Sequence, residues 1–310
     1  MPAPATTARC GRSGDGTAHS LPEIRRADAS ACAQASPGVA RRAVVTARQP
    51  GTPEVDRGRP DVSLRGVAPA AHPGVACRAR GGPVSLSPEH ESLRRAVYDS
   101  FAARGRAPGD DELRRATGRS ARWLEEGLRV LADAHHIVRD EGGIVLAHPF
   151  ASRDFGFSVK GAHTLWWGGC AWDAFAIPQL VDREPRALVA TACPACGAAH
   201  AWVVERQAPP PGDQVVAFPI PAASAWDDVI RTCSLQRVFC GRGCVDRWSA
   251  TSGIPADTVV DIPTLWRLAR HWYDGRLDSP YERRDIAASA RYFQEVGMPP
   301  AYVASLRGRM

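Results

Sequence analysis

The sequence predicts a mixed α+β fold in which a three-helix, winged-helix-like module precedes an α+β core and a set of C-terminal helices. Two observations indicate this order. Between residues 87 and 134, apolar residues recur at helical spacing behind residues that typically cap helices. Between residues 155 and 240, short apolar segments separated by turn residues are typical of strands. Together the two patterns predict a helical segment followed by a mixed one.

The first 84 residues are predicted to be a disordered leader. Residues 1–80 contain no Phe, Tyr or Trp, and they carry 12 arginines against six acidic residues. So few bulky apolar side chains cannot offset the entropy of ordering the chain. This segment accounts for the whole net charge of +6, so the basic composition does not indicate a nucleic-acid surface elsewhere. We interpret it as an over-extended gene start, with translation beginning near Val84; a basic tail that contacts acidic partners is the alternative.

Residues 85–150 are predicted to form the winged-helix-like domain. Ser87 and Pro88 are typical of a helix N-terminus, and apolar residues then recur at every fourth position. Two further helices are predicted to begin at Asp110 and at Ser120. The segment "IVRDEGGIVLA" then predicts a β-hairpin with glycine at its turn.

Modules of this kind often bind DNA, but the charge of this one argues against that function. The third predicted helix carries Arg122 and Arg129 together with Glu125 and Glu126. Because phosphate contacts dominate affinity for DNA, a helix with so little net positive charge is a poor DNA-reading element. We therefore expect a structural role for the module and no DNA partner.

Residues 151–280 are predicted to form the mixed core. A strand at "DFGFSVKG" precedes a helix at "CAWDAFAIPQLV", two strands around the "CPACG" turn, a strand at "DQVVAFPI" and a helix at "GCVDRWSAT". Helices are also predicted near 263–275 and 283–295, so that residues 281–310 form a helical C-terminal extension. No apolar run approaches the ~18 residues of a membrane span, and no secretory signal is present, so we expect a cytoplasmic protein.

Six of the nine cysteines are concentrated in one stretch of the core, whereas the other three lie in the leader. In a reducing compartment, clustered cysteines more often bind metal or carry out chemistry than form disulfides. The six are Cys170, Cys193, Cys196, Cys233, Cys240 and Cys244.

Cys170 and Asp173 form the most suggestive pair. Cys170 follows two glycines and is predicted to begin a helix, with Asp173 three residues later. At that spacing the two Cβ atoms lie roughly 5–6 Å apart on one helix face. The helix N-terminus favours a thiolate, whereas the carboxylate opposes its ionisation and can accept the proton. The pair is therefore suited to passing a proton between sulfur and oxygen; a small buried cysteine near a helix cap is the structural alternative.

Three segments resemble the organomercurial (alkylmercury) lyase family: "GGCAWDAFAIP", "ATACPA…HAWVV", and "RVFC", which ends at Cys240. The helical module and hairpin that precede them are also similar to the N-terminal domain of that family. The similarity covers about residues 87–275, in the family's order. Its most specific part is Cys-x-x-Asp, an apolar-aromatic run that reaches Pro178, and a second cysteine after "VF" 70 residues beyond the first.

The resemblance implies that Cys170 and Cys240 are the catalytic thiols that bind mercury, and that Asp173 carries the proton and also contacts the mercury. Hg(II) is a soft cation that prefers thiolate to oxygen or nitrogen ligands. One thiolate would displace the counter-ligand of R–Hg⁺, and the second would push electron density through mercury onto carbon. Asp173 would deliver a thiol proton to that carbon, which releases R–H and leaves Hg(II) on both sulfurs.

The same resemblance implies the partners of the reaction. No organic cofactor is expected, small thiols would present the organomercurial substrate and help to remove Hg(II), and the metal would pass to a mercuric reductase. The tryptophans of this region would form an apolar binding pocket for the organic group, although tryptophans are also found in the core of proteins without such a pocket. The three in this region are Trp166, Trp167 and Trp172.

The spacings Cys-x₂-Cys at 193–196 and Cys-x₃-Cys at 240–244 also predict a tetrahedral zinc site. Zinc bound to all four sulfurs would make Cys240 unavailable for lyase chemistry. The chain would then be a zinc-binding winged-helix protein of regulation or scaffolding. A set completed by Cys233 or His200 would leave Cys240 free. A third interpretation is a lyase-fold relative that binds another soft metal.

Overall fold

A computed structural model of the protein describes residues 85–307. The expectations for residues 1–84, including the start near Val84, lie outside the described residues. Within them the chain forms helices and antiparallel sheets, so the predicted mixed α+β class is confirmed.

Three helices begin the described part of the chain, and their ends follow from capping residues. Ser87 Oγ accepts the backbone N–H of His90, and Ser120 Oγ accepts that of Trp123. Gly105 ends the first helix in the left-handed conformation, which costs glycine little. The helices are α1 (Pro88–Arg104), α2 (Asp110–Thr117) and α3 (Ala121–Asp133).

A seven-stranded antiparallel sheet follows, in the order β1-β2-β3-β5-β4-β6-β7. Its strands are β1 (Val138–Asp140), β2 (Gly143–Ala147), β3 (Phe150–Ala151), β4 (Ser158–Lys160), β5 (Leu165–Gly168), β6 (Arg186–Ala192) and β7 (Ala199–Glu205). The predicted hairpin is β1–β2, and β2 continues into the rest of the sheet by pairing with β3.

A second sheet has three antiparallel strands in the order β10-β8-β9. They are β8 (Val215–Ala217), β9 (Arg237–Phe239) and β10 (Val259–Asp261). Strand β9 directly precedes Cys240, so this small sheet positions the second half of the cysteine-rich stretch.

Six more α-helices lie in the described residues, together with a short 3-10 helix (Ala222–Ser224). They are α4 (Ala171–Leu180), α5 (Val229–Leu235), α6 (Arg242–Ser252), α7 (Ile262–Trp272), α8 (Ile286–Glu295) and α9 (Pro300–Arg307). Helix α4 is the central one, because its residues 171–179 are all buried and it packs against α7. None of the helices from residue 85 to 307 is both long and apolar enough to cross a membrane.

Candidate active site and candidate metal centre

The turn from β5 into α4 places Cys170 and Asp173, and it requires glycine. A Cβ on Gly168 would lie 2.7 Å from the Cβ of Ala174, and one on Gly169 would lie 2.6 Å from Oδ2 of Asp173. Both distances are too short for a side chain, so the glycines allow the strand to approach the helix closely. Cys170 caps the helix, and its Sγ accepts the backbone N–H of Asp173 at 3.4 Å.

Asp173 is 1% exposed and is the centre of a hydrogen-bond network. Its Oδ1 accepts the hydroxyl of Tyr273 at 2.5 Å, and its Oδ2 accepts the Cys170 thiol at 3.3 Å. Nδ1 of His148 lies 3.1 Å from the same Oδ2. Because an ionised carboxylate only accepts hydrogen bonds, the proton of that contact belongs on Nδ1. The network satisfies a carboxylate that burial would otherwise destabilise.

Cys233 is the second thiol of this site. It lies on α5, whose N-terminus is capped by Asp228, and it is 4% exposed. Its Sγ forms a hydrogen bond with the Cys170 thiol, and it lies within 4.8 Å of ligand atoms of His148 and Asp173. The backbone N–H of Ala171 donates to the carbonyl of Gln236 at 3.1 Å, so the start of α4 and the end of α5 are joined beside the thiols.

The environment of the two thiols favours their protonated forms. Burial, the hydrogen bond with Cys233 and the negative charge of Asp173 hold the pKa of Cys170 well above its usual range. At Cys233 the hydrogen bond from Cys170 lowers the pKa, but burial and the charge of Asp173 outweigh it, so the pKa is raised. Neither sulfur is therefore a free thiolate in the resting protein.

This elevation predicts a loss of stability at alkaline pH. Below the ordinary thiol pKa of 9.0, both folded and unfolded chains bind the Cys170 proton, so its contribution is fully present. Above that pH the unfolded chain releases the proton while the folded chain retains it, so the free energy of unfolding decreases. We expect the free energy of unfolding, measured with urea, to decrease more between about pH 8 and about pH 10 for the wild type than for Cys170→Ser. An equal decrease in both proteins would contradict the raised pKa.

Aromatic residues close the site from the side of α7, α8 and α9. The ring of Trp172 lies 4.8 Å from that of Trp272 and 5.7 Å from that of Phe293. Trp166, grouped with Cys170 in the sequence, lies elsewhere: its Nε1 donates to the carbonyl of Phe101 on α1. Cys170 itself is 2% exposed. Two surface clefts of the described part lie apart from it, beside α1.

A second cluster contains the other four cysteines of the core. The sulfurs of Cys193, Cys196, Cys240 and Cys244 lie within 4.8 Å of one another. The distance from Cys196 Sγ is 3.4 Å to Cys240 Sγ and 4.0 Å to Cys244 Sγ. Nε2 of His200 is 3.6 Å from Cys240 Sγ, at the edge of the cluster. The spacing of the two pairs in the sequence thus identified sulfurs that do converge.

The thiols of this cluster have different acidities. Burial raises the pKa of Cys193, but backbone N–H groups of Cys240, Ala195 and Cys196 at its sulfur outweigh burial and lower it. Burial, the hydrogen bond with Cys196 and the charge of Cys193 raise the pKa of Cys240. The Cys193 sulfur is thus the one best prepared to be a thiolate.

The structure places Cys240 in this second cluster, and the contacts described for Cys170 do not include it. The structure brings Cys170 and Asp173 together, but Cys233 takes the place beside them. The reason is the extended path of β9: three residues at ~3.3 Å each carry the chain roughly 10 Å away from the end of α5. Cys240 follows β9 and so reaches the other cluster.

Sequence reasoning also missed His148 and Tyr273, which hold Asp173. Neither lies in a recognisable motif, and both reach the carboxylate only through the fold. For Cys233 the sequence offers a signal for the helix alone: Asp228 is a typical N-cap and places Val229 and Cys233 one turn apart on the same helix face, but it does not indicate what that face contacts.

Comparison with models of protein families agrees with the resemblance found in the sequence. The sequence profile of the alkylmercury lyase (MerB) family matches residues 150–274, which confirms that resemblance. The crystal structure of the mercury-bound form of MerB2 aligns over 59% of this chain and 89% of that chain, with 16% identity and a TM-score of 0.47. The comparison with curated proteins finds no match.

Proposed function

We propose that this protein, whose residues 150–274 match the alkylmercury lyase family, is an organomercurial lyase that cleaves the carbon–mercury bond of R–Hg⁺ by protonolysis. The observation that carries the proposal is the buried contact of Cys170 and Cys233 with Asp173. Two sulfurs can hold a soft metal from both sides, and the carboxylate can hold the proton that the carbon needs. One thiol could bind mercury without activating the bond, and a carboxylate alone is a poor ligand for it.

Substrate binding begins with proton transfer from sulfur to oxygen. Because the thiol pKa of Cys170 is raised, R–Hg⁺ replaces the thiol proton instead of meeting a preformed thiolate. The Cys170 thiol already donates to Oδ2 of Asp173 at 3.3 Å, so the carboxylate is placed to receive that proton. The products of this step are a Cys170–Hg–R adduct and a protonated Asp173.

The second sulfur activates the carbon. As Cys233 binds the same mercury, its own proton leaves with the counter-ligand X, and the two thiolates increase the electron density on R. Asp173 then delivers its proton to the carbon, and the carbon–mercury bond breaks. The balance is R–Hg–X plus two thiols giving R–H, HX and Hg(II) on both sulfurs.

Three features support the proton carrier. Tyr273 donates a hydrogen bond to one carboxylate oxygen of Asp173 and His148 donates to the other, and these bonds fix the orientation of the carboxylate. Burial, the charge of Asp173 and the hydrogen bond to its carboxylate hold the pKa of Tyr273 well above its usual range, so its hydroxyl remains a donor. The enclosure by aromatic rings excludes water, which strengthens the electrostatic interactions inside. We propose no organic cofactor for this chemistry.

Small thiols are proposed as co-substrates. Hg(II) held by two buried thiolates is released most readily to other thiolates, because these are the ligands that it prefers. Low-molecular-weight thiols in the cytoplasm would deliver R–Hg⁺ and accept the product, and a mercuric reductase is the proposed next acceptor of Hg(II). Entry requires a local opening of the aromatic cover, since Cys170 and Cys233 are both buried.

We propose a structural role for residues 85–150, as a winged-helix-like domain joined to a core of residues 151–280 and an extension from 281. Several arginines of the module form ion pairs with acidic side chains, which reduces the positive charge that the module displays. Glu125 contacts both Arg129 and Arg139, and Glu89 contacts Arg119. This pairing supports the absence of a DNA partner.

Hydrocarbon release tests the proposed function. The full chain, incubated with methylmercury and excess cysteine, is expected to release methane in headspace gas chromatography, and Cys170→Ser is expected to release none. A wild type that binds Hg(II) or Cu(I) tightly but releases no methane would refute the lyase and favour a relative that only binds soft metals.

A further inference from the structure

We propose that Cys193, Cys196, Cys240 and Cys244 bind one Zn(II) ion at a structural site that is separate from the candidate active site. The four sulfurs lie within 4.8 Å of one another. None of them belongs to the group of Cys170, Asp173 and Cys233, so the proposed lyase reaction does not need them.

The distances between the sulfurs fit a tetrahedral metal. A zinc ion with Zn–S bonds of about 2.3 Å separates its sulfurs by roughly 3.8 Å. The distances of Cys196 Sγ to Cys240 Sγ and to Cys244 Sγ, 3.4 Å and 4.0 Å, lie on either side of that value. A disulfide would need ~2.0 Å. No disulfide joins these four cysteines, and their sulfurs all lie within 4.8 Å of one another.

The backbone around Cys193 and Cys196 is folded as a turn that presents both sulfurs. The residues connect β6 to β7, and Gly197 has a φ of +74°, which glycine tolerates best. The N–H of Gly197 donates to the carbonyl of Cys193 at 2.8 Å, which closes the turn. Backbone N–H groups also point at the Cys193 sulfur, as they do towards ligands that carry negative charge.

The other two ligands come from the start of a helix. Cys240 follows β9, and Cys244 lies in the first turn of α6. Four thiolates around Zn(II) leave a net negative charge, which the N-terminus of α6 stabilises. Arg247 adds a positive charge, since its Nη2 donates to the Cys244 sulfur at 3.0 Å.

The identity of the metal follows from the ligand set. Four thiolates in tetrahedral arrangement select zinc or iron among the common metals, whereas Mg²⁺ and Ca²⁺ prefer oxygen. A four-ligand site with no open position is structural and not catalytic. Zinc would tie the β6–β7 turn to the segment that follows β9, and thereby fix the chain just beyond Cys233.

Metal content of the full chain tests this inference. The protein is produced without mercury, purified without chelators and measured by plasma mass spectrometry. We expect about one zinc per chain, lost in Cys196→Ser, whose exposed position limits other effects of the substitution. Cys233→Ser is the matched control and is expected to keep its zinc. Zinc absent from the wild type, zinc retained in Cys196→Ser, or stoichiometric iron or copper in its place would overturn the inference.

Cobalt substitution provides a second measurement that does not depend on a variant. Co(II) in place of zinc is expected to show the intense visible absorption of a tetrahedral thiolate site, and a spectrum of octahedral Co(II) would contradict the ligand set. Both measurements use protein that has not been exposed to mercury. Their failure would leave the proposed lyase untouched, and a lack of methane release would leave the zinc site untouched.

Discussion

Replacement of Cys233 by serine is expected to abolish hydrocarbon release, whereas replacement of Cys240 by serine is expected to preserve it. The Cys233 sulfur contacts Cys170 and lies beside Asp173, so its loss leaves mercury with one thiolate and an unactivated carbon. We expect kcat to decrease by on the order of 10³-fold or more. Cys240 lies in the other cluster, and its loss affects metal content and stability instead.

The two variants are compared at equal folded concentration, with methylmercury as substrate and methane as the readout. Circular dichroism measures the folded fraction, so that a less stable Cys240→Ser protein is not mistaken for an inactive one. A folded but inactive Cys240→Ser, together with an active Cys233→Ser, would restore Cys240 as the second thiol and refute the assignment made from the structure.

Replacement of Asp173 by asparagine is expected to separate mercury binding from bond cleavage. The amide keeps the size of the carboxylate and can still accept the hydroxyl of Tyr273, but it cannot take up a thiol proton and pass it to carbon. General acid catalysis typically contributes 10²–10⁴-fold, so we expect kcat to decrease by about that factor. In this variant the thiol proton of Cys170 leaves with the counter-ligand X as HX, so the R–Hg adduct on Cys170 can still form and should accumulate.

Mass spectrometry of the intact protein after mixing with phenylmercury detects that adduct directly. Asp182→Asn is the matched control, because Asp182 follows the same helix but its side chain is 91% exposed. We expect the control to release benzene at the wild-type rate. Benzene release by Asp173→Asn at that rate would show that another group supplies the proton.

Much of the fold could be predicted from local patterns. Caps and apolar spacing identify α1, α2 and α3, and "CAWDAFAIPQLV" identifies α4, because each of these signals acts within one or two turns. Strands β3, β5, β9 and β10 were not predicted. They contain two to four residues, and such short segments become strands only because neighbouring strands pair with them.

The candidate site was predictable only in part, for the same physical reason. Cys170 and Asp173 lie on one helix turn, so their contact follows from helix geometry. Cys233, His148 and Tyr273 join them from three other segments, and no local pattern indicates which distant side chain faces a given core position. Cys233 and Cys240 are seven residues apart. The resemblance favoured Cys240, which follows "VF", whereas the structure places Cys233 beside Cys170.

The position of the product metal tests the account most directly. After turnover of phenylmercury by the zinc-loaded protein, a crystal structure with anomalous scattering at the mercury edge locates Hg(II). The account predicts one mercury bonded to the sulfurs of Cys170 and Cys233, beside the carboxyl of Asp173. Mercury found after turnover only among Cys193, Cys196, Cys240 and Cys244 would contradict it.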